Sequence, residues 1–255
     1  MPFAGNAQTM PATPAWPPKS LPRLFVRAAL GDGAEIDLDP GQTNYFGNVL
    51  RLKESDEVLV FDGSSGEWLA RIAEAAKKRM TLKVRRKTRD AETIPDVWLA
   101  FAPVKRTQTD WLVEKATELG IAKLIPVVTQ RTVVERVKLE RLQTIAIEAA
   151  EQCGRTRLPE IVKPLSLKQF LGDRDAERTL YFADEGGGEA VANALTPGPA
   201  VILTGPEGGF TNEERAAVRA APNAVPVSLG PRVLRAETAA LAALAAYMAI
   251  AGDWR

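Results

Sequence analysis

The pattern of hydrophobic and polar positions changes near residue 90. From Arg23 to about Arg89, short runs of β-forming residues alternate with turns, in the segments LPRLFV, DEVLVFDGSSGEWLARI and MTLKVRRK. Gly63 and Gly66 mark a hairpin loop between two of these runs, and helical patterns are sparse apart from Tyr45–Leu50. This pattern predicts a small β-barrel over residues 21–90, with about the minimum length for an independent core.

From Val97 onward, strand patterns alternate with helix patterns. VWLAFAP is a continuous apolar run, typical of a strand buried on both faces. Residues 109–119 have apolar side chains at helical spacing and end at Gly120, and Lys138–Cys153 repeats this before Gly154. Three apolar runs follow, TLYFAD, AVILTG and AVPVSL, and then the helical AETAALAALAAYMAIAG. The alternation predicts an α/β domain with a parallel sheet over residues 91–255.

The composition excludes several kinds of catalytic and metal site. The chain has 255 residues, with 33 lysines and arginines against 32 acidic residues, and no histidine. Ser-His-Asp or Cys-His catalysis and histidine-ligated metals are therefore excluded, and we predict no metal. Cys153 is the only cysteine, so no internal disulfide or iron–sulfur cluster forms. A reducing cytoplasm is the expected location.

Neither end of the chain resembles an export or membrane segment. Residues 1–20 are rich in proline and alanine and lack the continuous apolar stretch of a signal peptide, so we predict a disordered extension. The longest uncharged apolar run, Thr238–Gly252, is too short to cross a bilayer and suits a buried helix. We therefore expect no membrane association.

The segment Leu203–Phe210, LTGPEGGF, joins a predicted strand to a helix whose start carries a capping box of Thr211 and Glu214. A glycine loop at a helix N-terminus presents unpaired N–H groups, which suit an anionic or polar ligand. No G-K-[ST] follows it, and no GxGxxG follows any strand in this half, so P-loop and Rossmann sites are unsupported. An ordinary turn is the alternative interpretation.

A second such segment, Ser228–Thr238, has the sequence SLGPRVLRAET. Arg235 stands at the start of the following helix, where the dipole favours anions rather than cations. It either pairs with Glu237 or serves an anionic partner, and the residues alone leave both possibilities open. Both segments follow the carboxyl ends of strands, where open α/β sheets bind their ligands.

The segment Lys77–Arg89 holds eight basic residues and no acidic one. It is either an edge strand protected from pairing by its charge or a stripe that follows RNA phosphates. If the segment follows RNA phosphates, neutralising Lys83, Arg85 and Arg86 should weaken RNA binding and flatten its salt dependence.

LTGPEGGFTNEE followed by SLGPRVLRAETA resembles the paired signature of the bacterial 16S ribosomal RNA uridine-N3 methyltransferases, of the SPOUT class. The resemblance extends through VKRTQTDWLVEKATELGIAKLIPV, RTVVER and EAAEQCGRTRLPEI, and through VLRLKESDEVLVFDGSSGEW in the barrel, and so covers Leu21–Asp253. It implies a knotted parallel-sheet methyltransferase domain after a PUA-like RNA-binding barrel. Many members carry histidine where this chain has Tyr45, so we do not expect that position to be needed for chemistry.

The resemblance implies methylation of N3 of a specific uridine in 16S ribosomal RNA, with S-adenosylmethionine as methyl donor. Uracil N3 must first lose its proton, so positive charge is expected near O2 and O4. Arg235 is the candidate for that charge, and Glu207 for positioning or accepting the proton. The cofactor contacts that the resemblance implies, mostly through backbone groups, are at Leu203, Gly205, Glu207, Gly208, Leu229, Gly230 and Leu234.

The expected macromolecular partners are 16S ribosomal RNA or the small ribosomal subunit, and a second copy of the chain. The last helix is apolar on nearly every side, which predicts a homodimer interface or, alternatively, burial within one chain. Two other functions stay open, a ribose 2′-O methyltransferase and a non-catalytic ribosome assembly factor. The RNA-binding candidates are Arg23, Arg51, Lys83, Arg85, Lys105, Arg106, Lys115, Arg131 and Arg155.

Overall fold

The computed structural model describes residues 21–76, 79–134 and 136–254. The predicted extension 1–20 and the first two residues of the basic segment, Lys77 and Lys78, lie outside the described residues. The described chain forms two compact units, one of residues 21–60 and 68–88 and the other of residues 61–67 and 89–254. Residues 61–67 interrupt the first unit in sequence and belong to the second.

The first unit is built on a five-stranded sheet whose order is β1-β3-β4-β5-β2. In the first half of β5, Met80, Thr81, Leu82 and Val84 are buried and Lys83 is exposed. After Val84 every residue of the strand is exposed, so its basic end lies on the surface. The strands are β1 (Arg23–Phe25), β2 (Glu35–Asp37), β3 (Glu57–Phe61), β4 (Glu67–Ala76) and β5 (Arg79–Arg89).

A short helical region separates β2 from β3. Helix α1 (Pro40–Asn44) begins with a capping box between Asp39 and Gln42 and continues into a π-helical turn, Tyr45–Val49. Phe46 is fully buried in this turn, whereas Tyr45 is 44% exposed. The helical pattern predicted over Tyr45–Leu50 therefore matches a real turn, although its hydrogen bonding is π-helical.

The second unit contains a sheet ordered β11-β13-β10-β12-β6-β7-β8, with β9 paired to β7. The strand pairs in this sheet run parallel. The strands are β6 (Val97–Phe101), β7 (Lys123–Val128), β8 (Glu160–Ile161), β9 (Leu165–Ser166), β10 (Thr179–Ala183), β11 (Glu189–Ala190), β12 (Ala200–Thr204) and β13 (Ala224–Ser228). The predicted parallel sheet is present.

Helices connect these strands, and their ends follow the expected signals. Two helix ends lie where the sequence indicates: α3 is capped at its C-terminus by Gly154, whose φ of 86° is left-handed, and α6 begins at the Thr211–Glu214 capping box. The helices are α2 (Arg106–Glu118), α3 (Leu139–Cys153), α4 (Leu167–Asp173), α5 (Val191–Ala194), α6 (Asn212–Arg219) and α7 (Ala236–Ile250).

Helix α7 buries its larger side chains within its own chain. Leu244, Tyr247 and Met248 are at most 1% exposed, and the Tyr247 hydroxyl donates to the Gly198 carbonyl at 2.6 Å. Its outward positions are small, including Ala242 and Ala249. The homodimer interface predicted for this helix stays a prediction. Across the described residues, no helix combines the length and apolarity needed to cross a membrane.

Strand β10 lies between β12 and β13 in the sheet. It pairs with β12 on one side and β13 on the other, with Phe182 opposite both Leu203 and Pro226. Because the three strands are parallel, the loops after them open at the same edge. The two glycine-containing segments thus flank a third loop, residues 184–188, which follows β10.

Candidate functional site

A cavity of about 450 Å³ lies at the carboxyl ends of β10, β12 and β13 and is lined by the loops that follow these three strands. This volume lies in the range of about 300–1,000 Å³ that is typical of small-molecule sites. Of the predicted cofactor contacts, those in the lining are Gly205, Glu207, Leu229, Gly230 and Leu234. Their role in binding remains a prediction.

Two predicted cofactor contacts lie off the lining. Leu203 is fully buried inside β12, in the core below the loop. Gly208 is exposed, and a Cβ atom there would meet the aliphatic part of Arg131 at 3.4 Å. Their roles in cofactor binding stay predictions, like those of the residues in the lining. A sequence motif marks the whole loop, but it does not separate residues that face the cavity from those behind it.

Two glycines in the loop after β12 are required by its geometry. A Cβ atom on Gly205 would come within 2.8 Å of the Phe210 ring, which packs edge-on against Phe182 with 5.3 Å between centroids. Gly209 has a φ of +66°, which other residues rarely adopt, and its N–H donates to the Pro206 carbonyl at 2.9 Å. The turn is therefore tightly packed and closed by its own backbone.

Arg131 braces this loop, although it was predicted to bind RNA. It follows β7, and its Nη1 donates to the Gly208 carbonyl at 2.6 Å and to the Phe210 carbonyl at 3.5 Å. The preceding Gln130 N–H donates to Glu214 Oε1 at 2.7 Å, at the start of α6. The segment after β7 thus holds the cavity loop and its helix from outside.

Arg235 and Glu207, the two predicted catalytic residues, face each other across the two glycine-containing segments. Arg235 Nη1 lies 3.9 Å from Glu207 Oε1, with the side chains 73% and 40% exposed. Glu237, the alternative partner, is buried, and its Oε2 has no hydrogen-bond partner among the described residues. An exposed pair at this distance contributes little stability, so Arg235 stays available to an anionic ligand.

The loop after β10 is a part of the site that the sequence analysis missed. Asp184 and Glu185 line the cavity, and the Asp184 side chain is 1% exposed between Arg215 and Arg219. The available signal was the run EGGG directly after the apolar segment TLYFAD. What the sequence did not show is that β10 lies between β12 and β13, which brings this loop between the other two.

The three RNA-binding candidates on or next to α2 differ in how accessible they are. Lys105 and Arg106 are exposed at the beginning of the helix. Lys115 is partly buried, and its ammonium donates to Glu114 and Glu118, each at 2.8 Å. These hydrogen bonds raise the pKa of Lys115 above its ordinary value. Lys115 is thus already engaged with two carboxylates.

Arg155 is a correction to the predicted RNA surface. Its side chain is 5% exposed, and Nη1 donates to the carbonyls of Thr117 and Ile121 at the end of α2. Burial lowers the pKa of the guanidinium, an effect opposed by the carboxylate of Glu92, 3.5 Å away. A guanidinium enclosed in this way satisfies helix carbonyls instead of reaching a phosphate at the surface.

In the first unit the basic segment combines paired and exposed residues. Arg79 contacts Asp37 at 3.2 Å, and Lys83 contacts Glu35 at 3.9 Å. The side chains of Arg85 and Arg86 are exposed. The two interpretations of the segment, a charged edge strand and a stripe that follows RNA phosphates, both stay predictions. Of the other candidates in this unit, Arg23 is half-buried and Arg51 is exposed.

The chain matches two family models, an RNA methyltransferase domain over residues 91–248 and an RNA methyltransferase PUA domain over residues 38–85. A curated relative from Rickettsia conorii, "Ribosomal RNA small subunit methyltransferase E", is 32% identical over 229 residues, which cover 88% of this chain and 93% of the relative.

Solved structures agree with the sequence relatives. A Legionella pneumophila methyltransferase in complex with the cofactor SAM superposes with a TM-score of 0.84 at 30% identity, covering 91% of this chain and 99% of the other. A "Ribosomal RNA small subunit methyltransferase E" from Neisseria gonorrhoeae, bound to S-adenosyl methionine, gives a TM-score of 0.84 at 29% identity, covering 92% of this chain and all of the other.

Proposed function

The chain belongs to the RNA methyltransferase family with an N-terminal PUA domain, and we propose that it methylates N3 of a specific uridine in 16S ribosomal RNA, using S-adenosylmethionine. The observation that carries the proposal is the cavity at the carboxyl ends of β10, β12 and β13, in a fold shared with two methyltransferase structures that hold this cofactor. The trefoil knot implied by the family resemblance remains a prediction.

The residues that line the cavity fit S-adenosylmethionine. The cofactor combines a polar amino acid end with a nucleoside, and the cavity offers backbone groups at Gly205 and Gly230, apolar side chains at Leu229 and Leu234, and a carboxylate at Glu207. Glycines let the main chain approach a ligand closely. When bound, the cofactor supplies an electrophilic methyl group, so the chain's own residues need only prepare the nucleophile.

Arg235 prepares that nucleophile by favouring the uracil anion. Its guanidinium is always charged, lines the cavity and is 73% exposed, so a base entering from solvent can reach it. A positive charge beside O2 or O4 stabilises the anion left when the N3 proton departs. Glu207, on the facing loop, is the candidate acceptor for that proton.

The first unit supplies a basic surface for the RNA. Arg51, Arg85 and Arg86 are exposed there, and a PUA domain is the family assignment for this region. Exposed arginines attract phosphates without selecting a base, so they anchor the substrate while the cavity selects the atom that is modified.

The test is transfer of a labelled methyl group to 16S RNA from cells that lack this protein. Purified protein and isotopically labelled S-adenosylmethionine are incubated with small subunits, and the RNA is digested to nucleosides for mass spectrometry. We expect the label on the base of a uridine at N3, and its loss with Arg235→Ala. Label on a ribose 2′-oxygen, or RNA binding without transfer, would overturn the proposal in favour of one of the two alternatives.

We further propose that the active form is a cytoplasmic homodimer. Apolar side chains at the surface of the second unit support this: Val233, in the cavity lining, is 95% exposed, and Trp111 on α2 is 44% exposed. The outward face of α7 is made of small residues that permit close approach of a second helix. Sedimentation at micromolar concentration should show a dimer. A fully active monomer would contradict it.

A further inference from the structure

Glu185 lines the cavity and is not among the predicted site residues. It follows β10, the strand between β12 and β13, and lines the cavity with the residues of both flanking loops. We propose that Glu185 binds the ribose hydroxyl groups of S-adenosylmethionine. This inference rests on the proposed function, because it assigns a part of that cofactor to one residue of the site.

Glu185 is held in place by a buried charge cluster below it. Asp184 Oδ1 lies 3.0 Å from Arg215 Nε, and its Oδ2 lies 2.5 Å from Arg219 Nη2. Asp184 Oδ1 also accepts from the Gly186 N–H at 2.8 Å, which fixes the turn. Arg215, fixed by Asp184, donates from Nη2 to Glu185 Oε1 at 2.7 Å. The carboxylate is therefore positioned although its side chain is 54% exposed.

The opposite loop is shaped to accommodate this carboxylate. A Cβ atom on Gly209 would lie within 2.8 Å of Glu185 Oε2 and would collide with Oε1 as well. Glu185 thus packs directly over the main chain of the loop after β12. Two of the three loops meet at this contact.

The chemistry of the carboxylate selects the ligand group. An ionised carboxylate only accepts hydrogen bonds. Arg215 uses Oε1 and offsets the negative charge, while no hydrogen bond from a described residue reaches Oε2. A carboxylate whose charge is already compensated attracts a cation only weakly, but its oxygens still accept hydrogen bonds from hydroxyl groups. The ribose carries the only hydroxyl groups of S-adenosylmethionine, and acidic side chains bind ribose hydroxyls in dinucleotide-binding sheets as well.

The test is calorimetry with three ligands, S-adenosylmethionine, S-adenosylhomocysteine and 5′-methylthioadenosine. All three carry the ribose, but only the first carries the sulfonium charge. Glu185→Gln should weaken all three about equally, by roughly 10-fold or more, as expected for one hydrogen bond to a charged group. Glu177→Gln, an exposed residue in the turn before β10, is the matched control and should bind like the wild type.

A loss confined to S-adenosylmethionine would overturn the ribose assignment in favour of a contact with the cation. Unchanged affinity for all three would leave Glu185 as a partner of Arg215 only and also overturn it. If the wild type binds none of them, the proposed function fails instead.

A second measurement guards against a variant that binds poorly because it is misfolded. The wild type should bind S-adenosylhomocysteine at least 10-fold more tightly than its 2′,3′-dideoxy analogue. The Glu185→Gln protein should show a much smaller difference in affinity between these two ligands. Equal discrimination by both proteins would show that another group recognises the ribose.

Discussion

Arg131 donates from Nη1 to the Gly208 carbonyl at 2.6 Å, so a side chain that follows β7 fixes the outer surface of the loop that follows β12. The inner surface of the same loop lines the cavity at Gly205, Glu207 and Gly209. A residue predicted to bind RNA therefore holds one wall of the cavity that we propose as the cofactor site.

Removing this brace should weaken cofactor binding. We expect Arg131→Ala to reduce affinity for S-adenosylmethionine about 5-fold, the effect of one hydrogen bond, as measured by calorimetry. Arg136→Ala, in the same connection between β7 and α3, is the control and should leave the affinity unchanged. If Arg131→Ala instead flattens the salt dependence of RNA binding and keeps cofactor affinity, the original RNA assignment is correct.

Gly205 and Gly208 should tolerate a methyl group very differently. In Gly205→Ala the new Cβ atom meets the Phe210 ring at 2.8 Å, and the buried ring has little room to move. We expect a loss of about 1–3 kcal/mol in unfolding free energy, with weaker cofactor binding. Gly208→Ala meets only the flexible Arg131 chain at 3.4 Å and should change both quantities little. Thermal unfolding and calorimetry measure the two quantities, and equal effects of the two substitutions would contradict this packing argument.

Arg235→Ala should lower turnover much more than it lowers cofactor affinity. The charge acts on an anion that forms only along the reaction path, so its loss affects kcat by about 100-fold or more. Arg235→Lys should recover part of the rate, because it restores the charge. Single-turnover kinetics and calorimetry on the same samples separate the two effects. A parallel loss of binding and turnover would show that Arg235 binds the cofactor.

The exposed part of the basic segment should contribute to RNA affinity more than its paired part. The double variant Arg85→Ala with Arg86→Ala should weaken RNA binding and reduce the salt slope by about 0.7 for each RNA phosphate that the variant no longer neutralises. Lys83→Ala should have a smaller effect, because Lys83 already contacts Glu35. An unchanged slope in the double variant, measured by filter binding across salt concentrations, would leave the segment as a charged strand only.

Local signals predicted the elements of the second unit well, because they act over a few residues. The capping box at Thr211 and the glycine stop at Gly154 each depend on neighbours three or four positions away. The position of β10 between β12 and β13 depends on strand pairing between distant segments, so no local pattern revealed that Glu185 joins the site. Arg155 shows the same limit, since burial of a charged side chain depends on residues far along the chain.

Substitutions at Arg155 and Arg106 should distinguish an arginine that supports the fold from one that binds RNA. Arg155→Leu removes the guanidinium that donates to the carbonyls of Thr117 and Ile121 and lies 3.5 Å from the Glu92 carboxylate, so we expect a loss of about 2–4 kcal/mol in unfolding free energy. RNA affinity of the folded fraction should stay unchanged. Arg106→Ala, at the exposed start of α2, should weaken RNA binding and leave stability within about 0.5 kcal/mol. Urea unfolding and filter binding measure the two quantities. An Arg155→Leu protein of native stability and weakened RNA binding would return Arg155 to the RNA surface, because a guanidinium that supports the end of α2 cannot be removed without cost to the fold.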